Sequence, residues 1–339
     1  MDIAVCGAQK LYMRGGAELH QDNLVAALEA AGHRAELVRL PVAWEKGRIF
    51  DSPLAWRMIP VDADLVIATN FPSYFVRHPN KVVWLLHQQR SAYDGADSRA
   101  DWSDFGLDDV SLEEQRQLVE WDNIALSEAR EIFTTSDVVA DRLARYNGLK
   151  STTLYHPPPL AGQLHPGEAE DFILAVNRFD ANKRPGLIVE AMAHETSGVR
   201  AVSVGRGVLL DELRARTEQL GLADRVALPG FVRDEELIDL FARCLGVLYA
   251  PADEDYGYVT VQAFLAGKPV ITAIDSGGVL EWVEDGVTGF VTDGSPRELG
   301  RAFDRLAADP AKAREMGAEA RRRVADLSWA TVVERLTSA

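Results

Sequence analysis

The feature that most constrains this chain is a regular alternation of two kinds of apolar segment. Short β-branched runs occur at 65–68, 82–86, 172–176, 245–249 and 270–272, and Ile3-Ala4-Val5-Cys6 adds one near the start. Such uninterrupted apolar runs suit strands buried on both faces of a parallel sheet. Amphipathic segments of helical period lie among them at 17–31, 137–146, 185–194, 209–220 and 234–243. Strand and helix in alternation predict an α/β chain with parallel sheets. At 339 residues and 47% apolar composition, the chain is long enough for two domains, each with its own core.

His156-Pro157-Pro158-Pro159 is the most linker-like stretch, because three prolines forbid helix and central strand. The boundary is placed near 157–170, after which the alternation restarts at Phe172. Ser111 followed by Glu114 reads as a capping box opening a helix over 111–128. Before it lies a long acidic stretch, 94–109, that carries Trp102 and Phe105. The end of the chain reads as helices over 296–308 and 310–326. Ser328 then reads as an N-cap and Trp329 as an apolar anchor.

Composition excludes several classes. With 52 Asp+Glu against 36 Lys+Arg, the net charge of −16 disfavours nonspecific nucleic-acid binding and docking on an anionic membrane. Cys6 and Cys244 sit in separate apolar runs, so no disulfide framework is expected, and no metal-ligand spacing occurs among the histidines. No apolar run approaches the ~18 residues of a membrane span, and the start lacks a signal-peptide pattern. A soluble cytoplasmic protein with no metal and no cofactor is expected.

Several strand-to-helix loops carry polar residues suited to an anionic ligand. After the run at 245–249 come Glu254, Gly257 and a helix starting near Tyr258, with Gln262 further along it. A helix N-terminus favours phosphate, and Glu254 can accept hydrogen bonds from sugar hydroxyls. Asn177-Arg178-Phe179-Asp180-Ala181-Asn182-Lys183 follows another strand, and its two cations could converge on one diphosphate. Gly205-Arg206-Gly207 and Gly230-Phe231-Val232 are further strand-end turns. Met13-Arg14-Gly15-Gly16 precedes the first helix, but the dinucleotide GxGxxG fingerprint is missing. His87 ends the run at 82–86. Singly, each loop could be an ordinary turn.

Their order is more specific. The run Glu254-Asp255-Tyr256-Gly257-Tyr258-Val259-Thr260-Val261-Gln262-Ala263-Phe264, continuing to Ile271, resembles the donor-site signature of glycosyltransferase family 4. So do Asp275-Ser276-Gly277-Gly278-Val279-Leu280-Glu281, Glu284-Asp285-Gly286-Val287-Thr288-Gly289-Phe290-Val291, the Arg178/Lys183 pair, the glycine turns, His87 and Ser328-Trp329. The resemblance runs over nearly the whole chain and is strongest over about 172–293.

It implies a GT-B fold of two Rossmann-like domains. Residues 1–160 would face the acceptor, 161–324 would bind the donor, and a helix over about 325–339 would return to the first domain. The implied activity is a retaining, metal-independent, hexosyltransferase-type transfer from a nucleotide diphosphate sugar to an acceptor hydroxyl in glycan or glycoconjugate biosynthesis. An epimerase of the same fold, or a degenerate transferase serving as a binding module, is the alternative. The resemblance assigns catalysis to Arg178, Lys183, Glu254 and His87. It assigns donor contacts to Gly16, Gly205, Gly207, Phe231, Val232, Gly257, Tyr258, Val259 and Gln262. Tyr74, Gln88, Trp102 and Phe105 are candidates for acceptor contacts. One departure stands out: Gln262 replaces the family's second Glu, which would weaken donor binding by ~1–3 kcal/mol or shift nucleotide preference.

Overall fold

The computed structural model describes every residue except 13–14, 43–47 and 98–108. The chain divides into two compact units, Met1–Pro157 with Leu327–Ala339, and Pro158–Asp326.

The first unit contains β1 (Asp2–Gln9), α1 (Gly16–Ala30), β2 (Arg34–Pro41), α2 (Asp51–Met58), β3 (Leu65–Ala68), β4 (Lys81–Leu85), α3 (Asp94–Asp97), α4 (Asp109–Ser127), β5 (Glu131–Thr134), α5 (Asp137–Asn147) and β6 (Thr152–Thr153). All its strand pairs are parallel, in the order β2-β1-β3-β4-β5-β6. The β-branched runs are buried because helices cover both faces of the sheet. Trp56, Phe71, Tyr74 and Leu118 pack on one face. Leu24 and Leu28 of α1 pack on the other, beside Val332, Val333 and Leu336 from the end of the chain.

The second unit contains β7 (Phe172–Val176), α6 (Leu187–Met192), β8 (Arg200–Val204), α7 (Leu210–Gln219), β9 (Val226–Gly230), α8 (Asp234–Arg243), β10 (Gly246–Leu248), α9 (Tyr258–Leu265), β11 (Val270–Ala273), β12 (Gly289–Thr292), α10 (Pro296–Ala308) and α11 (Pro310–Arg323). The final helix, α12 (Trp329–Ser338), belongs to the first unit. The second sheet is also parallel, ordered β12-β11-β10-β7-β8-β9. Its order reverses between β7 and β10, and open α/β sheets bind ligands at that switch point.

Three local expectations need correction. Ser111 is not an N-cap: α4 already includes Asp109, and Ser111 is buried in the first turn. The helix expected over 185–194 shortens to Leu187–Met192, because Arg184 adopts a left-handed φ of 45° after a 3-10 turn at Ala181–Lys183. Tyr74 and Gln88 are unavailable to an acceptor. Both are fully buried, Tyr74 donating to Asp122 Oδ1 (2.8 Å) and Gln88 Nε2 to Asn147 Oδ1 (3.0 Å). Trp102, Phe105, Met13 and Arg14 lie outside the described residues.

Candidate active site

The loops leaving β7 and β10, on either side of the switch point, are bound to each other. Ala252 N donates to Asn182 O (3.0 Å). Arg184 donates to the Ala250 and Pro251 carbonyls (2.8 and 2.6 Å) and makes a two-pronged ion pair with Asp275. A guanidinium is suited to this work because its rigid fork serves several acceptors at once.

That bracing places Lys183 against Glu254. Lys183 Nζ donates to Glu254 Oε2, and Tyr249 Oη donates to the same oxygen at 2.7 Å. Both members of the ion pair are mostly buried, with side-chain exposures of 18% and 15%. Burial alone would raise the Glu254 carboxyl. The Lys183 charge and the two hydrogen bonds outweigh it and hold the group below the usual carboxylate range. Burial, with the Glu254 charge adding to it, pushes the Tyr249 phenol well above its ordinary value, so it remains a donor.

The segment after β11 supports Glu254 from the other side. Glu254 N donates to Ser276 O (3.3 Å), and Gly278 N donates to Glu254 O (2.7 Å). Gly257 then takes a left-handed φ of 81° and caps α9. A side chain there would meet Val279 Cγ2 at 3.0 Å as well as straining the backbone. The first turn of α9, which includes Tyr258 and Val259, carries no acid, so its positive dipole end is not neutralised locally.

Gln262 sits one turn further along α9. It is largely buried, and its Nε2 donates to Pro159 O at 3.1 Å. An ionised Glu could not make this bond, since it has no proton to donate. The amide therefore anchors the start of the unit to α9, and Oε1 remains as an acceptor.

The other expected donor residues lie along the same sheet edge. Arg178 follows β7, half exposed, and pairs with Asp180 at 3.2 Å. It does not share a partner with Lys183, although its charge reaches the Tyr249 phenol. Gly205 passes so close to the Asn177 carbonyl that a Cβ would overlap it, and Gly207 presses likewise on the Phe179 carbonyl. Phe231 and Val232 follow β9. Val232 is buried, while the Phe231 ring is exposed beneath the Arg206 guanidinium.

His87 and Gly16 belong to the first unit. His87 lies just beyond β4, and its Nδ1 is 2.7 Å from Gln88 O. That oxygen can only accept, so Nδ1 is the donor. Gly16 opens α1, where the Glu18 carboxylate accepts from Gly15 N at 2.7 Å. An acid thus already occupies the positive end of that helix. Among the described residues no cluster of His, Cys, Asp and Glu could hold a metal ion. Among them, no helix is long and apolar enough to cross a membrane.

Tyr249 and Arg184 are site residues that the sequence motifs do not single out. Tyr249 closes an apolar strand run, and Arg184 is hidden beside Lys183. The only sequence signal is their place at strand ends beside Glu254 and Lys183.

Residues 161–323 match the family model of glycosyl transferases group 1. An alpha-1,3/1,6-mannosyltransferase ALG2 from Dictyostelium discoideum is 28% identical over 175 residues, covering 46% of this chain and 41% of its own. A D-inositol 3-phosphate glycosyltransferase from Streptomyces avermitilis is 34% identical over 176 residues, covering 51% and 37%. The matched part thus spans about two-fifths of these curated relatives. Among solved structures, sucrose-phosphate synthase from Thermosynechococcus elongatus superimposes with a TM-score of 0.78 at 19% identity, covering 99% of this chain and 97% of its own. Anabaena Alr3699/HepE, solved with UDP and glucose, gives 0.73 at 19% identity, covering 100% and 99%. The chain has the GT-B fold, and its residues 161–323 are similar to the glycosyl transferases group 1 family.

Proposed function

We propose that this protein transfers a sugar from a nucleotide diphosphate sugar to an acceptor hydroxyl, with retention of anomeric configuration and without a metal. The observation that carries the reading is the Lys183–Glu254 pair, held by Tyr249 at the switch point beside the start of α9. The activities named for the relatives, a mannosyltransferase and an inositol-phosphate glycosyltransferase, support the reaction class.

Without donor, the lysine and the carboxylate satisfy each other. A diphosphate at the α9 N-terminus competes for Lys183, and the lysine's move away from Glu254 frees that carboxylate to accept from sugar hydroxyls. Tyr249 keeps one carboxylate oxygen in place throughout. The bond from the anomeric carbon to the diphosphate oxygen then breaks. The acceptor oxygen bonds to the same face, and its proton passes to the departing diphosphate. Negative charge develops on that leaving group, so positioned cations supply the main stabilisation. Lys183, Arg178 and the α9 dipole are the groups in this role. Hexosyl transfer into glycans or glycoconjugates is the proposed setting.

Lys183→Ala should lower turnover of a nucleotide sugar at least ~100-fold. Circular dichroism and cooperative melting should remain those of a folded chain. A folded variant with near-normal turnover overturns the assignment.

A further inference from the structure

The Gly205-Arg206-Gly207 turn carries a cation that the proposed transfer step does not use. Its backbone is fixed from three sides. Phe179 N donates to Arg206 O (2.7 Å), Gly205 N donates to Gly230 O (2.9 Å), and the two glycines lie against the Asn177 and Phe179 carbonyls. The side chain is exposed, and its guanidinium lies 3.6 Å from the centroid of the Phe231 ring, itself 56% exposed. Among the described residues, no hydrogen bond or ion pair engages the Arg206 donors. Arg178, Lys183 and Arg184 all have acidic or carbonyl partners. Arg206 is thus oriented by stacking while its in-plane N–H groups stay uncommitted.

We infer that Arg206 is the base-reading residue of the donor site, selecting a nucleotide whose base carries a carbonyl acceptor, guanine or uracil, over adenine. The inference rests on the reading of this unit as a nucleotide-sugar site. β9 lies two strands from β7. At ~4.8 Å per strand, its end is about 10 Å from the switch point, the reach of a nucleoside whose diphosphate sits there. The guanidinium has five donors and no acceptor. Guanine offers it O6 and N7 together, and uracil offers O4. Adenine sets an amino group, itself a donor, where guanine has O6. Two opposed N–H groups repel, so the contact discriminates as well as binds. Phe231 keeps the guanidinium planar to the base and sheltered on one face, where its hydrogen bonds are stronger than in open water.

Calorimetric titration of the full chain with GDP, UDP and ADP tests this, using the wild type, Arg206→Ala and Arg206→Lys. The wild type should bind GDP or UDP more tightly than ADP, and the better of the two identifies the base. Arg206→Ala should weaken that nucleotide about tenfold or more and leave ADP within about twofold. Arg206→Lys keeps the charge without the fork and should recover little of the preference. Melting without nucleotide should be unchanged, because the side chain is exposed. Equal weakening of all three nucleotides would make Arg206 a phosphate contact and overturn the inference, as would an unaltered preference. Failure of the wild type to bind any of them overturns the donor-site reading itself, a different result from binding without base selection.

Discussion

Lys183 shares Glu254 Oε2 with Tyr249, a residue with no charge to advertise it. Its hydroxyl meets Glu254 Oε2 at 2.7 Å from a side chain that is 5% exposed. Tyr249→Phe removes the donor and little volume. Hydrogen bonds to a charged group contribute about 1.5–3 kcal/mol. The carboxylate should then lean wholly on Lys183, lowering the melting temperature by a few degrees, and donor affinity should fall about tenfold. Titration of a nucleotide sugar against the variant checks this, and wild-type affinity would remove Tyr249 from the site. The charged residues of the site were legible because acids and bases at strand ends are unusual. Tyr249 was not, because it completes an apolar run and reads as core. Gln262 was legible as a departure from Glu. Its bond to Pro159 O was not, since that contact joins residues about a hundred positions apart.

At the scale of elements, β-branched runs announced β3, β4, β7, β10 and β11, since buried parallel strands have no polar face to blur the pattern. Helix ends were harder to read. The Ser111–Glu114 spacing matches a capping box, yet the helix starts earlier and Ser111 is buried within it. Arg184 ends a 3-10 turn in a left-handed conformation, which the amphipathic pattern over 185–194 could not reveal. Ser328 behaves as its sequence suggested, its Oγ accepting from Thr331 N at 3.1 Å. It caps α12, a helix of 10 residues whose Val332, Val333 and Leu336 enter the core against α1. Ser328→Ala should cost about 1 kcal/mol of stability. Hydrogen exchange should quicken at the start of α12 and stay unchanged in β7 and β10. Equal exchange at α12 would mean that packing alone holds the helix.

Across the whole first unit, stability depends on buried titrating groups whose effects oppose each other. Asp122 joins α4 to Tyr74 and Tyr93, accepting from both phenols. Burial raises its carboxyl from 3.8 to about 7, against the lowering effect of those hydrogen bonds. His156 lies between Trp84 and His20, with ring centroids 5.2 and 4.6 Å away. Burial lowers its imidazole from 6.5 to about 4, partly offset by the Pro157 carbonyl. A raised folded value means that Asp122 contributes most below pH ~4 and loses that contribution as pH rises toward 7. A lowered folded value means that His156 contributes fully above ~6.5 and loses its share as pH falls toward 4. Burial also lowers His20, in ring contact with His156, well below its ordinary value, so both histidine slopes oppose that of Asp122 across one window. None of these groups was legible as a pH-responsive element, because burial shifts a pKa only once tertiary packing exists. Asp122→Asn leaves the histidine slopes uncompensated. Relative to wild type, the variant should gain on the order of 2–4 kcal/mol between pH 4.5 and 7. Among the described residues, Trp56, Trp84, Trp121 and Trp329 fall in the first unit and Trp282 in the second, so tryptophan fluorescence during urea unfolding reports mainly on the first. A wild-type-to-variant difference that does not change with pH would show that Asp122 titrates at the same pH folded and unfolded, and that its tyrosine ligands, rather than desolvation, govern its charge.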